Sequence, residues 1–438
     1  MRFLAVFLLC SCLGTTPAFA QPLGGLDFEL VELPHSPEGA ALGNAIVATP
    51  TGDAQGFLSN PAHLAHDTDG ISARLSLLPQ TDWLGVDGLS RFGFALNAGA
   101  DGRRWGLPLV LGLGIVRSGF DLGEALVRYG PGTQLEFLSP ITQSFTAVSA
   151  GLSYVGPVRA SLGLGVRWAD HAPGTTTPVE GTPETVVYEA TMYDIGVLGE
   201  VPIAHLVGWH ERYGAHLDVR VGYARTSAQS NSGEAPSCFS PAPFTFGTGP
   251  SPCFVAQAPA TVRLGWAASF GSTLRRDLGT LRLFSVTLAF QADEVVSELG
   301  EDTPWTGSFS ALDALLGQGE RSTLDGTDHV GRRAAQLTIA ETLTTSYGSF
   351  TGAGTEASSY GFTLSLGGLA RAIGLYRSLP HAYDLGQRFD LRLTGSVYVI
   401  DEDAFSVTED VQRFLRSNPE ATIGNTVFWG TTLRARLP

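Results

Sequence analysis

Apolar residues alternate with small or polar residues along much of this 438-residue chain. In HLDVRVGYARTS (216–227), Leu217, Val219 and Val221 take every second position, with Asp218 and Arg220 between them. A period of two is typical of a β-strand that has one apolar and one polar face. The same pattern recurs in RASLGLGVRW (159–168), VRLGWAASF (262–270), FSVTLAFQAD (284–293) and FDLRLTGSVYV (389–399).

The alternating segments run for about 9 to 12 residues, the length that a tilted strand needs to cross a bilayer, whereas strands of soluble proteins average about 5 to 6. The face between the apolar positions is mostly Gly, Ala and Ser, with an occasional ion. An arginine that faced lipid at mid-depth would cost roughly 2–4 kcal/mol, so we expect the apolar face to meet lipid. The ionic positions then face the lumen; they are Arg167, Asp218, Arg220, Arg263, Asp390 and Arg392.

The alternating segments number about 14, so we predict an all-β fold, a transmembrane antiparallel β-barrel of about 14 strands with a short N-terminal segment ahead of it. Bacterial single-chain barrels have an even number of strands, which supports this count. The count takes Gln336–Tyr347 as one strand and divides the chain at Gly367-Gly368, which gives the strands Ser359–Leu366 and Leu369–Arg377. Glu341 falls among the apolar positions of its strand, which indicates a bulge or contact with a neighbouring protein.

The first 20 residues, MRFLAVFLLCSCLGTTPAFA, have the features of a Sec signal peptide: Arg2, an apolar run and a small-x-small end at Ala20. A lipoprotein signal at Cys12 is the alternative. No later segment approaches the roughly 18 continuous apolar residues of a spanning helix. We therefore predict a Sec-exported protein of the bacterial outer membrane, with outer-membrane lipid around it. A soluble periplasmic β-sandwich or lectin-like binder is the other interpretation.

The formal net charge is −15 and every basic residue is arginine. An acidic balance argues against nucleic acid as a partner. The enzyme motifs GxSxG, HExxH and the Walker loop are absent from the sequence, so we predict no enzymatic activity and no cofactor. Beyond the signal peptide, Cys238 and Cys253 lie in a Pro/Gly-rich stretch, and we predict that they form a disulfide outside the reducing cytosol.

Ahead of the first strand, GNAIVATPTGDAQGFLSNPAHLA (43–65) contains Pro61, which can open a short helix with Asn60 or Ser59 as its N-cap. This stretch resembles the start of the FadL-type outer-membrane β-barrel superfamily, including its PorV/PorQ-like and UPF0164 branches. AETLTTSYGSFTGAGTEASSYGFTLSL (340–366) is similar to a paired-strand region of the same proteins. The residues that match the N-terminal signature are Gly43, Ala45, Ala48, Asp53, Asn60, Pro61, Ala62, Leu64 and Ala65.

The resemblance implies that residues 21–69 form a periplasm-proximal hatch and that residues 70–438 form the barrel. Asp53, Asn60, Pro61 and Ala62 would be the hatch motif. FadL-like members admit hydrophobic small molecules, which is the function we expect here. PorV-like members are instead non-enzymatic partners in protein secretion or surface attachment, and their partners are secretion-system and cargo proteins. That role is the alternative.

Three further features admit two interpretations each. His63 and His66 are one helical turn apart, which suits a capped helix better than a metal site without a third ligand. SFSALDALLGQ (308–318) predicts an amphipathic helix that caps the lumen or, alternatively, lies on the membrane surface. Acidic residues at the end of one strand form a solvated rim or a weak Ca²⁺ or lipid-bridging cation site. They are Asp293, Glu294, Glu298, Glu301 and Asp302.

Overall fold

The computed structural model describes residues 35–68, 70–82, 89–128, 136–172, 188–230, 260–296, 309–319, 329–352, 355–400 and 426–437. The strands within these ranges are β1 (Ile71–Asp82), β2 (Leu89–Asp101), β3 (Leu109–Arg128), β4 (Glu136–Val155), β5 (Arg159–Ala172), β6 (Tyr188–Pro202), β7 (Ala215–Ser230), β8 (Ala260–Arg276), β9 (Gly279–Val296), β10 (His329–Ile339), β11 (Leu343–Gly352), β12 (Thr355–Ser365), β13 (Phe389–Ile400) and β14 (Thr426–Leu437).

The α-helices of the described residues are short. They are α1 (Pro37–Ala41), α2 (His63–His66), α3 (Ile203–Leu206), α4 (Trp209–Tyr213), α5 (Ala311–Leu316), α6 (Leu366–Arg377) and α7 (Pro380–Arg388). Within the described ranges, every helix is too short or too polar to cross a bilayer.

The strands form one closed barrel in which each pairs antiparallel with its neighbours in sequence, and β14 closes on β1. The predicted fold class, an antiparallel transmembrane barrel of 14 strands, is confirmed. On β3, Leu111 and Leu113 point outward and are 59% and 63% exposed, whereas Gly112 and Val116 face the lumen. This outward apolar surface suits lipid. We call the end with the turns at 156–158, 277–278 and 340–342 the short-turn end, and the opposite end the loop end.

Residues 35–68, which we call the plug, lie inside the barrel. The helix α1 contacts β11, β12, β13 and β14, while α2 contacts β2, β3, β4 and β5 on the opposite wall. Almost every plug residue is buried. The plug therefore spans the lumen from one side to the other.

Two strand assignments are wrong, and their errors cancel in the count. Residues 336–347 belong to two strands, β10 and β11, joined by a turn in which Ala340 and Glu341 have φ of 50° and 56°. Residues 369–377 are helical and belong to α6. Glu341 forms an ion pair with Arg371 of α6 and accepts a hydrogen bond from the backbone N of Arg282 (2.9 Å). Glu341 falls among apolar positions because it lies in the turn between β10 and β11, and neither a bulge nor a neighbouring protein is needed to explain it.

The helix α5 exists as predicted, but it lies on the outer wall and does not cap the lumen. Phe309 and Ala314 pack with Val262 and Ala292, which are outward-facing positions of β8 and β9. The indole Nε1 of Trp266, also outward, donates to Leu315 O (2.8 Å). Leucines on the other side of α5 are about half exposed, so this helix extends the apolar outer surface at the loop end.

Candidate functional site: the plug and the lumen wall

The plug lies on a row of glycines in the lumen wall. A Cβ on Gly163 would lie 2.2 Å from the carbonyl carbon of Pro61, and one on Gly112 would lie 2.3 Å from Leu64 O. No real side chain tolerates such contacts, so glycine is required for the plug backbone to approach the wall. Five glycines, paired strand to strand across β2–β6, form the row: Gly99, Gly112, Gly151, Gly163 and Gly196.

The other half of the plug approaches β7 and β11 equally closely. A Cβ on Gly222 would lie 2.2 Å from Val47 O, and one on Gly348 would lie 2.1 Å from the backbone N of Gly43. The wall residue Gln291 accepts from Val47 N (2.8 Å). Thus both halves of the plug are fitted to the wall at backbone level.

Asn60 joins the two halves of the plug to β6. Its Nδ2 donates to Val47 O (2.8 Å) and to Val197 O (3.1 Å), and its Oδ1 accepts from Ala62 N (3.1 Å). The last bond is an Asx turn, and α2 begins at His63 and not at Pro61 as predicted. The Asn-Pro-Ala motif therefore connects the two halves of the plug to β6 through the Asn60 side chain, and it does not cap a helix.

Two plug carboxylates have distinct surroundings. Asp53 organises a turn: it accepts from Thr51 Oγ1 and from Gln55 N, both at 3.1 Å. Glu38 lies 3.7 Å from Nη1 of Arg392 on β13. Burial raises the pKa of the Glu38 carboxyl, while Arg392 acts in the opposite direction.

Wall arginines hold the plug by its backbone. Donation from a guanidinium to a carbonyl oxygen is charge-assisted and stronger than a neutral hydrogen bond. Because each bond fixes a main-chain oxygen, these contacts hold the path of the plug whatever its side chains. Four described arginines do this: Arg332 to Gly43 O (2.9 Å), Arg159 to Ala65 O (3.0 Å), Arg167 to Leu58 O and Arg74 to Asp67 O.

Arg167 also anchors a buried ion pair. Its Nε donates to Asp194 Oδ2 (2.6 Å), and Thr226 Oγ1 donates to the other carboxylate oxygen (2.7 Å). These residues lie on β5, β6 and β7, so the pair ties three strands to the plug segment at Leu58.

A second polar link joins α2 to the wall. His66 contacts Ser161 Oγ through Nδ1 (3.0 Å) and Glu200 Oε2 through Nε2 (3.1 Å), and Glu200 is paired with Arg220. Nε2 of His63 is 2.9 Å from Ile46 O and therefore carries the proton as a donor. Burial lowers the pKa of His63, against the raising effect of Asp67.

The docked plug is expected to loosen as pH falls below about 6.5, the ordinary pKa of histidine. The folded plug favours neutral His63, so its stabilisation is complete above that pH and is lost as pH falls through the lowered pKa. Hydrogen exchange of peptides covering residues 54–68, at pH 7.5 and 5.5, measures the change.

His63→Gln is the matched comparison, because glutamine can keep a donor to Ile46 O without titrating in this range. It also separates the effect from Glu38, whose raised pKa acts in the opposite sense. An equal pH effect in both proteins would show that His63 is not responsible.

Where the plug meets β3, β4 and β6 on its loop-end side, part of the lumen wall is apolar. Phe120, Phe145 and Met192 face the lumen and are buried together with Phe57 and Leu58 of the plug. The ring of His35 packs edge-on against Phe145 at 4.8 Å. Phe145 lies six residues from Gly151, roughly 20 Å along β4 from the glycine row in the direction of the loop end. We call this group, together with Val116, the apolar cluster.

The structure places the predicted lumen ions as follows. Arg167 and Arg220 are paired with Asp194 and Glu200 respectively. Arg263 is buried directly opposite Asp293, and Asp218 is half-buried opposite Ser269. Asp390 accepts from Arg392 Nε (2.8 Å). The predicted disulfide pair Cys238–Cys253 and the signal peptide fall outside the described residues.

The acidic rim does not converge within the described residues. Asp293 faces the lumen and pairs with Arg332, whereas the next residue, Glu294, has the opposite parity and lies across from His329. Glu298, Glu301 and Asp302 fall outside the described residues. No group of three metal-ligating side chains occurs in the part of the chain described.

The sequence patterns missed two parts of this site. From the sequence, the glycines on the polar face indicated only that the lumen wall has space for other groups. That five of them lie side by side on neighbouring strands becomes apparent once the strand pairing is known. Arg74, Arg159 and Arg332 lie in alternating segments like the predicted lumen ions. Their role depends on plug carbonyl groups that are remote in sequence; Gly43 and Arg332, for example, are 289 residues apart.

No family model and no curated protein matches the sequence. Among solved structures, the toluene transporter TodX of Pseudomonas putida is similar with a TM-score of 0.42 and 10% identity, over 96% of this chain and 100% of that one. A FadL homologue of Pseudomonas aeruginosa gives 0.36 and 9%, over 95% and 99%. The β domain of the Bordetella autotransporter BrkA gives 0.35 and 9%, over 84% and 99%. At this level the chain is similar to these proteins in its general barrel shape.

Proposed function

We propose that this protein is a Sec-exported barrel of the bacterial outer membrane that admits small hydrophobic molecules, without catalysis. The apolar cluster is the observation that carries the proposal. A water-filled pore has a polar interior, whereas here aromatic rings and a methionine face the lumen beside the plug. These side chains are buried beneath the plug, so an apolar ligand would contact them, with few polar groups around it, once the plug has shifted.

The plug covers the wall residues of the apolar cluster and lies between them and the short-turn end, so passage requires it to shift. Its contacts are backbone hydrogen bonds and close packing on glycines, which fix one position of the plug tightly. A barrel of this kind would admit a ligand only when the plug moves and would not leak water-soluble solutes. We therefore expect selective uptake and little passage of sugars.

Uptake of radiolabelled toluene and of a long-chain fatty acid, by cells that express the protein and lack their own transporter, tests the proposal. Expression should raise uptake of one or both, and leave arabinose entry unchanged. Phe145→Asn should reduce uptake several-fold, because a polar amide enters the apolar cluster. Thr287→Asn places the same side chain elsewhere on the lumen wall and should have little effect.

Uptake equal to that of cells without the protein would refute the proposal, as would arabinose entry that rises with it. The alternative role, as a PorV-like partner in secretion, predicts instead that a cargo domain or translocon subunit co-purifies with the protein in stoichiometric amounts. The segments that connect the strands at the loop end, where such docking would occur, lie largely outside the described residues.

A further inference from the structure

A buried glutamine of the lumen wall, Gln143 on β4, has no hydrogen-bond partner within the described residues. Its side chain is 1% exposed, and both the Oε1 and the Nε2 atom of its carboxamide are unpaired. Burial of an amide without a compensating hydrogen bond is unfavourable, and most buried polar side chains in proteins are paired. Packing therefore does not explain why this wall position carries a glutamine.

Gln143 lies at the edge of the apolar cluster. It is two residues from Phe145 on the same lumen-facing side of β4, roughly 7 Å along the strand. Phe120 of β3 is its direct cross-strand neighbour. The ring of His35, in the plug, packs edge-on against both phenylalanines, at 5.9 Å from Phe120 and 4.8 Å from Phe145. A shift of this end of the plug would therefore uncover the two rings and Gln143 together.

A second wall glutamine has a clear structural role. Gln291 of β9 is equally buried, at 1% exposed. Its Oε1 accepts from Val47 N (2.8 Å) and its Nε2 donates to Asn44 O (3.3 Å), so its carboxamide holds the plug against the wall. Gln143 makes no such bond, although the plug covers the wall residues beside it. Holding the plug in place is therefore not the role of Gln143.

We propose that Gln143 is a specificity-determining residue, which binds the hydroxyl group of a ligand whose aromatic ring lies on Phe120 and Phe145. A hydroxyl group donates one hydrogen bond and also accepts, so it can pair with Oε1, with Nε2 or with both. Aromatic pairs prefer the edge-to-face and offset arrangements that a ring beside two phenylalanines can adopt. The ligand class is thus a small phenol or aromatic alcohol. This role rests on the proposed function and narrows its substrate class.

A carboxylate group fits this position less well than a hydroxyl group. It only accepts hydrogen bonds, which would leave Oε1 of Gln143 unpaired, and its charge would be buried among apolar side chains. Arg91 of β2 lies directly opposite Phe120, but it is already engaged. Its guanidinium lies over the ring of Phe428, 4.6 Å from the ring centroid. A neutral hydroxyl group is therefore favoured.

Equilibrium dialysis of the purified full-length protein in detergent, against p-cresol and against p-xylene, tests the proposal. The two ligands share one ring and differ at one position, where p-cresol has a hydroxyl group in place of a methyl group. The hydrophobic effect alone favours p-xylene. After subtraction of binding to empty micelles, p-cresol should nevertheless bind about tenfold more tightly, because only its hydroxyl group pairs with the buried amide.

Gln143→Leu should abolish this preference, with a loss of about tenfold in affinity for p-cresol and no loss for p-xylene. The variant should also raise the urea midpoint of the ligand-free protein, because leucine replaces an unpaired amide of similar size. A merely structural role of Gln143 predicts a lower midpoint. Gln336→Leu is the matched control on the lumen wall of β10, near the short-turn end. Its Nε2 donates to Ser346 Oγ (3.4 Å), and its loss should leave the preference unchanged.

Equal affinity for the two ligands, no saturable binding of p-cresol, or a preference that persists in folded Gln143→Leu would each overturn the proposal. Tighter binding of p-toluate than of p-cresol would overturn the choice of a hydroxyl group. The comparison of ligands in the wild type decides the question even if heat-modifiable gel mobility shows that the variant does not fold.

Toluene uptake by cells is a separate measurement, so the two proposals can fail independently. Uptake of toluene without a preference for p-cresol in dialysis refutes the role of Gln143 alone. Binding of p-cresol with the expected preference, in a protein that does not raise uptake, supports that role and refutes transport.

Discussion

Replacement of Arg167 by methionine is expected to destabilise the folded barrel by about 3–5 kcal/mol, the usual effect of removing one partner of a buried ion pair. Arg167 is 1% exposed and Asp194 is 5% exposed. Methionine fills part of the space but leaves the Asp194 carboxylate without its cation, and the plug loses the donor to Leu58 O. The loss arises mainly from the charge left behind and not from the missing hydrogen bonds.

Urea unfolding of the refolded protein in detergent, followed by tryptophan fluorescence, measures this change in free energy. Asp194→Asn combined with Arg167→Met should recover much of the loss, because the buried charge is then gone. Arg388→Met is the control, since its pair with Asp384 is about half exposed and should contribute less than about 1 kcal/mol. Equal losses in the two single variants would contradict the role assigned to burial.

The alternating pattern predicted the barrel and which face of each strand meets lipid. Both properties are local, because the side of the strand on which a residue lies and the cost of placing it in lipid do not depend on distant residues. The pattern failed where the backbone turned without the usual signals. Ala340 and Glu341 adopt positive φ, a conformation normally taken by glycine or asparagine, so the apolar pattern ran on through the turn. Only the pairing of Thr338 with Thr344 shows that the chain reverses there.

The helix α6 carried a signal of its own. Leu366, Leu369, Ile373 and Tyr376 follow the 3-4-3 spacing of one helical face, and all four are exposed. Ser365 caps the helix by accepting from Gly368 N (2.8 Å). Local alternation at 369–375 competed with this pattern, and a requirement for an even strand count then favoured the wrong choice. The predicted number of strands was still 14, because residues 336–347 were taken as one strand and belong to two.

The plug shows a different limit of sequence reasoning. Asn60 and Pro61 were located by resemblance, but what they contact could not be predicted, because Asn60 and Val197 are 137 residues apart. Lumen polarity was predictable from the cost of charge in lipid. The pairing of each ion depends on strand register, and register is fixed by the whole barrel.

Replacement of Gly163 by alanine is expected to lift the plug from the wall and to destabilise the docked state by about 1–3 kcal/mol, as overpacking commonly does. The added Cβ would lie 2.2 Å from the carbonyl carbon of Pro61 and 2.3 Å from Ala62 N. Both are backbone atoms, so no side-chain rotation relieves the contact. β5 cannot move away from the plug easily either, because it is paired with β4 at Gly151 and with β6 at Gly196.

The matched control is Gly199→Ala on β6, where an added Cβ meets nothing within 4 Å. Hydrogen exchange of the segment 58–68 should therefore accelerate in Gly163→Ala and stay unchanged in Gly199→Ala. Both variants add one Cβ to a paired strand of the barrel, but only the one at Gly163 contacts the plug. A difference in exchange between the two variants therefore measures the docking of the plug and not the stability of the barrel. Indistinguishable exchange in the two variants would mean that the plug does not need the glycine row, and the fit between plug and wall would then lose its physical basis.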